Sequence, residues 1–192
     1  MERENARLAL VTGGGRGIGR AIAKELGKKG FDVAVNDKGN MSAAEELCGE
    51  LSELGVSARA FEADVSKADE VEKLFKSVAD SMGTVQVLVN NAGITRDNLL
   101  MRMKEEEWNA VIAVNLNSAF HCTKEAIRGM VRGRWGRIVF ISSVVGLIGN
   151  AGQANYCATK AGLIGFAKSV AREYAVKESR PTSWRRVLSR LK

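Results

Sequence analysis

The fold is decided by the stretch Leu8-Ala9-Leu10-Val11-Thr12-Gly13-Gly14-Gly15-Arg16-Gly17-Ile18-Gly19 near the amino terminus. It opens with a short apolar run of strand type, and the residues that follow it, 20–28, have the apolar spacing of a helix. A glycine-rich turn between a strand and a helix is typical of dinucleotide sites, because glycines let a pyrophosphate approach the backbone. The amino end of the helix offers it free N–H groups. A tight structural turn is the alternative for the glycines taken alone.

Strand and helix patterns alternate along the rest of the chain. Nearly continuous apolar runs, such as residues 85–89 and 137–141, are typical of parallel strands that helices cover on both faces. The alternation predicts an α/β fold, a doubly wound parallel sheet of Rossmann type with right-handed crossovers, in a single domain. We expect strands at 7–12, 31–36, 57–63, 85–90 and 136–142, and helices at 17–29, 41–54, 67–81, 104–130 and 155–175.

Ligands of such sheets bind beyond the carboxyl ends of the strands, where Asp37 follows the second predicted strand. A carboxylate at this position would bind the adenosine ribose hydroxyls and favour NAD, although Asp37 could also simply end the strand. Arg16 and Lys38 argue for NADP, since cations there could hold its 2′-phosphate. The residues alone therefore leave the cofactor open between NAD and NADP.

A proton-transfer site is indicated by Tyr156 and Lys160, which are four residues apart and would share one face of a helix. A nearby ammonium favours the phenolate, so we expect Lys160 to lower the pKa of Tyr156 toward the working range. The hydroxyl of Ser143 could then bind the oxygen of a carbonyl or an alcohol. The alternative for Lys160 is an ordinary surface lysine, and for Ser142 we expect a packing or turn role.

These motifs, in this order, resemble the short-chain dehydrogenase/reductase family over about residues 6–176. Residues 91–103 and 143–156 resemble the 3-oxoacyl-[acyl-carrier-protein] reductases in particular. The resemblance implies catalytic roles for Asn115, Ser143, Tyr156 and Lys160. It implies cofactor binding by Gly13, Arg16, Gly17, Ile18, Gly19, Asp37, Asp64, Val65, Asn91, Ala92, Gly93, Tyr156 and Lys160.

Several of these roles come from the resemblance alone. It implies that Asp64 and Val65 touch the adenine, whereas an N-cap before Ser66 is the alternative for Asp64. It implies that residues 91–93 support the central sheet and form the floor of the cofactor site. Asn115 would hold a water that links Lys160 to a proton relay, or would be a polar helix residue satisfied by solvent.

The function that the resemblance implies is NADPH-dependent reduction of 3-oxoacyl-[acyl-carrier-protein] in fatty-acid biosynthesis. The alternatives are another carbonyl substrate, or a catalytically impaired dinucleotide-binding or regulatory module. The implied partners are an acyl carrier protein, docked by Arg134 and Lys177 unless these are only solvated charges, and further copies of the chain. The family implies a tetramer, assembled through the helices at 104–130 and 155–175.

Composition and charge limit the other classes of protein to which the chain could belong. The net charge is +7, but residues 177–192 hold six basic residues and one acid, so the charge does not indicate a nucleic-acid-binding domain. No apolar stretch reaches the roughly 18 residues of a membrane helix, and no secretory signal is visible. Cys48, Cys122 and Cys157 are widely spaced and indicate neither a metal site nor disulfides. Free thiols favour a reducing, cytoplasmic compartment, and for the single histidine, His121, we expect a packing role.

Near the carboxyl terminus, the sequence no longer resembles the family. We divide the chain into a dinucleotide-binding catalytic domain, residues 1–176, and a basic tail, residues 177–192. The tail contains neither the Pro-Gly turn nor the last strands of the family, and we expect the sheet to lack them. Its apolar residues have helical spacing and could form an amphipathic basic helix. Such a tail could contact an acidic partner, a membrane surface or another subunit.

Overall fold

A computed structural model describes residues 6–174. Its centre is a five-stranded sheet in the order β3-β2-β1-β4-β5, in which every neighbouring pair is parallel. The strands are β1 (Leu8–Thr12), β2 (Asp32–Asp37), β3 (Ala58–Glu62), β4 (Val85–Asn90) and β5 (Arg137–Phe140). This confirms the predicted doubly wound parallel sheet, and each strand lies within its predicted range or one residue beyond it.

The helices cover both faces of the sheet. They are α1 (Gly17–Lys28), α2 (Met41–Glu53), α3 (Ala68–Met82), α4 (Glu105–Ile112), α5 (Ser118–Arg132), α6 (Val145–Ile148) and α7 (Ala154–Tyr174). The predicted single helix at 104–130 is wrong in one respect, because a π-helical turn at Ala113–Asn117 separates α4 from α5. Sequence reasoning also missed α6 and a 3-10 turn at Leu100–Arg102.

Two apolar clusters hold the helices to the sheet. Leu8 and Leu10 of β1 point into one cluster with α3, α5 and α7, whereas Ala9 and Val11 point into the other with α1 and α2. Side chains alternate between the faces of a strand, so burial of every β1 residue requires helices on both sides.

The chain order reverses at β1, which has β2 on one side and β4 on the other. Sheets of this type bind ligands in a crevice at such a reversal, here between the carboxyl ends of β1 and β4. The glycine turn follows β1 and residues 91–93 follow β4, so both face this crevice. The expectations for residues 177–192 lie outside the described residues. Within residues 6–174, none of the helices is long and apolar enough to cross a bilayer.

Candidate active site

The glycine turn after β1 is fixed by the segment that follows β4. Asn91 donates hydrogen bonds from Nδ2 to the carbonyl oxygens of Thr12 and Gly13, both at 2.9 Å. Gly13 has φ +60°, a conformation that favours glycine. A Cβ on Gly19 would lie 2.3 Å from the Gly13 oxygen and 2.5 Å from Asn91 Nδ2. Only glycine fits there, because α1 must pack directly on the turn.

The amino end of α1 is open and fits a pyrophosphate. Arg16 stands at the N-cap and makes no side-chain capping bond. Ile18 is 63% exposed, and nothing lies within 4 Å of a Cβ built on Gly17, whose φ is +54°. Uncapped N–H groups at a helix amino end attract anions. The backbone here therefore suits the diphosphate of a dinucleotide.

Asp37 has a structural role that sequence reasoning missed. Its Oδ2 accepts a hydrogen bond from the backbone N–H of Gly15 at 3.0 Å, across 22 residues of sequence. A Cβ on Gly15 would lie 2.8 Å from the same oxygen. The carboxylate thus anchors the glycine turn to the end of β2, whether or not it also meets a ribose.

Asp64, after β3, pairs with Lys38. Lys38 Nζ donates to Asp64 Oδ2 at 2.7 Å, while Asp64 Oδ1 accepts from the backbone and side chain of Ser66 at 3.1 and 2.6 Å. Burial raises the pKa of Asp64, but the bonds from Lys38 and Ser66 outweigh it and hold that pKa below its ordinary value. The N-cap alternative is wrong, since α3 begins at Ala68 with Lys67 at its N-cap. Val65, beside it, is buried.

The π-helical turn points Asn115 into the protein. Asn115 is 1% exposed, and its amide forms two hydrogen bonds with the backbone of Ile94, accepting at 2.8 Å and donating at 3.0 Å. Nδ2 also donates to Thr159 Oγ1 of α7 at 3.3 Å. The solvent alternative is therefore wrong. An extra residue in one helical turn reorients a side chain, a common feature of functional sites.

Lys160 is buried beside these groups, so the surface alternative is wrong. It is 4% exposed, its Nζ donates to the carbonyl oxygen of Ile141 at 2.8 Å, and it lies 5.4 Å from the centre of the Tyr156 ring. A Cβ on Gly93 would lie 3.6 Å from Lys160 Nζ, an ordinary van der Waals contact, so the segment after β4 runs directly beside the amine. Burial lowers the pKa of Lys160 to about 8.

The two serines after β5 have different surroundings. Ser142 donates from Oγ to the carbonyl oxygen of Lys160 at 2.8 Å, which holds the start of α7 against the end of β5. Ser143 is half-buried and hydrogen-bonds with the side chain of Tyr156. The structure thus brings Ser143, Tyr156, Lys160 and Asn115 to one end of the sheet.

The expectation that Lys160 lowers the pKa of Tyr156 is wrong. Burial raises the pKa of Tyr156, and the hydrogen bond with Ser143 opposes that change without cancelling it. Desolvation penalises the phenolate, and the Lys160 ammonium hydrogen-bonds with the Ile141 carbonyl. The neighbour that lowers the pKa of Tyr156 is Ser143.

Sequence reasoning also missed two supporting residues. Thr12 Oγ1 accepts hydrogen bonds from the backbone N–H groups of Asn91 and Ala92, both at 3.1 Å, and so joins β1 to the segment after β4. Asn155 is fully buried; it donates to the carbonyl oxygen of Arg96 at 2.9 Å and accepts from the N–H of Tyr156 at 2.7 Å. The Thr-Gly dipeptide at the loop could have indicated Thr12, whereas nothing in the sequence singles out Asn155.

Other chemistries find no support in the described residues. Across residues 6–174, His, Cys, Asp and Glu side chains form no group of three or more that could hold a metal ion. Cys48, Cys122 and Cys157 are free thiols in the structure.

A dinucleotide crevice next to a serine, a tyrosine and a buried lysine defines an oxidoreductase of the nicotinamide-dependent class. The chain matches the short chain dehydrogenase family over residues 7–180, and it belongs to that family.

Its curated relatives include three bacterial proteins. It is 55% identical to the 3-oxoacyl-[acyl-carrier-protein] reductase FabG of Staphylococcus aureus strain Mu50 over 167 residues, which are 87% of this chain and 68% of the relative. The protein of that name in Staphylococcus epidermidis is 53% identical over the same shares. The 3-oxoacyl-[acyl-carrier-protein] reductase of a Synechocystis species is 51% identical over 91% of this chain and 71% of the relative.

Proposed function

We propose that this protein reduces 3-oxoacyl groups carried on acyl carrier protein to 3-hydroxyacyl groups in fatty-acid biosynthesis, with NADPH as the reductant. The observation that carries the proposal is the clustering of Ser143, Tyr156 and Lys160 beside a glycine turn suited to a dinucleotide. The names of the relatives support the substrate class.

The nicotinamide cofactor, when bound, supplies a hydride for the β-carbonyl carbon of the substrate. Tyr156 donates a proton to the oxygen of that carbonyl as it becomes an alkoxide, and the Ser143 hydroxyl binds the same oxygen. The raised pKa of Tyr156 suits a group that holds its proton until the oxygen becomes basic. Lys160, with its pKa lowered to about 8, can return a proton near neutral pH. Asn115 fixes the Ile94 backbone beside this relay.

The preference for NADPH rests on cations near the proposed ribose. Arg16 is exposed and forms no ion pair with any residue in the range 6–174, so its guanidinium is available to a 2′-phosphate. Lys38 is exposed and held next to the same region by Asp64. Asp37 directs one oxygen to Gly15 instead of to the crevice. NADH remains the competing cofactor because Asp37 is an anion.

The proposed partners are the acyl carrier protein and further copies of this chain. Arg134 is exposed on the turn after α5, where it can contact an acidic protein; Lys177, the second proposed contact, lies outside the described residues. Trp108, Phe120 and Val131 on α4 and α5 are 36%, 49% and 48% exposed. Such exposed apolar side chains support the assembly of several subunits, which the family resemblance implies to be a tetramer. We propose the cytoplasm as the location of the protein, by the same resemblance.

The test is oxidation of NADPH, and separately of NADH, with an acetoacetyl thioester as the substrate. We expect turnover with NADPH that disappears in Tyr156→Phe, a variant that removes one hydroxyl and keeps the ring. Turnover with NADH alone would overturn the cofactor assignment. Cofactor binding without turnover on this or any other carbonyl substrate would overturn the reductase proposal and favour a dinucleotide-binding module.

A further inference from the structure

A basic cavity opens at the amino-terminal edge of the sheet, opposite the candidate active site. Its volume is about 780 Å³. Leu8, Phe31 and Met82 give it apolar walls, and Arg7 and Lys29 contribute positive charge. This volume is in the range of small-molecule sites, which combine apolar walls with a few polar groups.

Two guanidinium groups lie over the ring of Trp135, a residue that lines this cavity. The Arg7 Cζ atom lies 4.0 Å from the centre of a Trp135 ring, and Arg137 Cζ lies 5.0 Å from it. Both distances are within the range of cation–π contacts. Trp135 is itself packed against the apolar cluster beneath α1 and α2, so the indole is a fixed platform for both cations.

In the part of the chain that the structure describes, no ion pair includes Arg7, Lys29 or Arg137, and no acidic residue is among those lining the cavity. Glu25 interacts electrostatically with Lys29 but does not line the cavity. Asp32, at the start of β2, directs Oδ1 to the backbone N–H of Ser57 at 2.8 Å. Burial, and then the charge of Arg7, lower the pKa of Arg137. The two cations repel one another, and a bound anion would relieve that repulsion.

We infer that this cavity binds a nucleoside phosphate, with its phosphates on Arg7 and Lys29 and its base against Phe31 and Met82. Guanidinium groups bind phosphate oxygens with paired, charge-assisted hydrogen bonds. A phosphate alone would fill little of about 780 Å³ and would leave the apolar walls uncovered. The five residues of β1, roughly 16 Å at strand spacing, separate the cavity from the glycine turn, so this site does not depend on the proposed reductase function.

The experiment uses the full chain with Trp108→Phe and Trp184→Phe, which leaves Trp135 as the single indole. ATP is titrated at constant ionic strength while the emission of Trp135 is recorded. We expect a saturable change, tighter binding of ATP than of inorganic triphosphate, and no response to adenosine. Arg7→Gln should weaken ATP binding about tenfold or more, since a charge-assisted contact is lost. Arg59→Gln, which removes an exposed arginine that does not line the cavity, should not.

Thermal unfolding of each variant shows that it is folded. An emission of Trp135 that ATP leaves unchanged would overturn the inference. An equal response in Arg7→Gln and the parent would do the same, because the arginine would then have no part in binding. Binding of inorganic triphosphate as tightly as ATP would overturn the assignment of a nucleoside.

Discussion

Gly19 offers the sharpest test of the site, because the substitution Gly19→Ala adds a single methyl group. That methyl would lie 2.3 Å from the Gly13 oxygen and 2.5 Å from Asn91 Nδ2. The first contact is with backbone, so the turn has to move away from α1. Overpacking of this kind costs about 1–3 kcal/mol. Each hydrogen bond from Asn91 that is lost with the movement costs about 0.5–1.5 kcal/mol more.

The same substitution at Gly49 is a matched control. Gly49 lies inside α2, and nothing stands within 4 Å of a Cβ built on it. Alanine is favoured over glycine in a helix by about 1 kcal/mol. We therefore expect Gly49→Ala to raise the free energy of unfolding by about 0.5–1 kcal/mol. Gly19→Ala should lower it by about 1–5 kcal/mol, if both Asn91 hydrogen bonds are lost and the same gain in helix propensity is subtracted.

Thermal unfolding and titration with dinucleotide measure both effects. For a chain of this size, about 1–5 kcal/mol corresponds to a fall in Tm of roughly 2–20 °C. Gly19→Ala should also weaken dinucleotide binding, whereas Gly49→Ala should leave it unchanged. A Gly19→Ala protein as stable as Gly49→Ala, with normal binding, would refute the argument that close packing of α1 on the turn shapes the site.

Three further predictions concern residues after β4 and β5. Ser143→Ala should reduce turnover about a hundredfold with little change in stability. Ser142→Ala should lower the free energy of unfolding by about 0.5–1.5 kcal/mol and leave turnover nearly unchanged. A comparison of kcat with Tm in the two variants separates these roles. Asn115→Ala should destabilise the protein by about 2–5 kcal/mol in denaturant titrations, because it leaves the buried Ile94 backbone without partners; a loss below about 1 kcal/mol would contradict this. Wild-type stability should rise between pH 8 and 9, and Lys160→Met should abolish that rise; equal slopes would contradict the prediction.

The strands could be predicted from the sequence because their signals are local. Apolar runs such as residues 85–89 identify a strand buried on both faces without reference to the rest of the chain. The π-helical turn could not be predicted in this way. It depends on Asn115 bonding to Ile94, 21 residues earlier, and on Thr159, 44 residues later. The helical pattern of 104–130 contains no local sign of such contacts.

In the candidate site, too, some features have a local sequence signal and others depend on contacts between distant residues. Motif spacing identified Tyr156 and Lys160 as neighbours because four residues make about one helical turn, and the structure places both on α7. The bond from Gly15 to Asp37, by contrast, depends on the packing of the turn after β1 against the end of β2. The direction of the Tyr156 pKa shift depends on burial, which spacing does not report.

The stability of this protein and its proposed chemistry make opposite demands on Lys160. Its pKa is lowered to about 8 from an ordinary 10.5 because burial penalises the charged amine. Below pH 8 the folded and unfolded chains both carry that proton, and the folded state bears the full penalty. Between pH 8 and 10.5 the unfolded chain binds more protons, so folding becomes more favourable as the pH rises.

The predicted rise in stability is confined to pH 8–9 because the cysteines act in the opposite direction above that range. Burial raises the pKa of Cys48 to about 11 and that of Cys122 to about 12 from an ordinary 9.0, so ionisation of these thiols favours the unfolded chain as the pH increases further. Lys160→Met keeps the bulk of the side chain and removes the buried charge. It should therefore stabilise the fold at neutral pH. It should also abolish reduction, because the proposed proton relay requires a buried lysine whose pKa is lowered toward neutral pH.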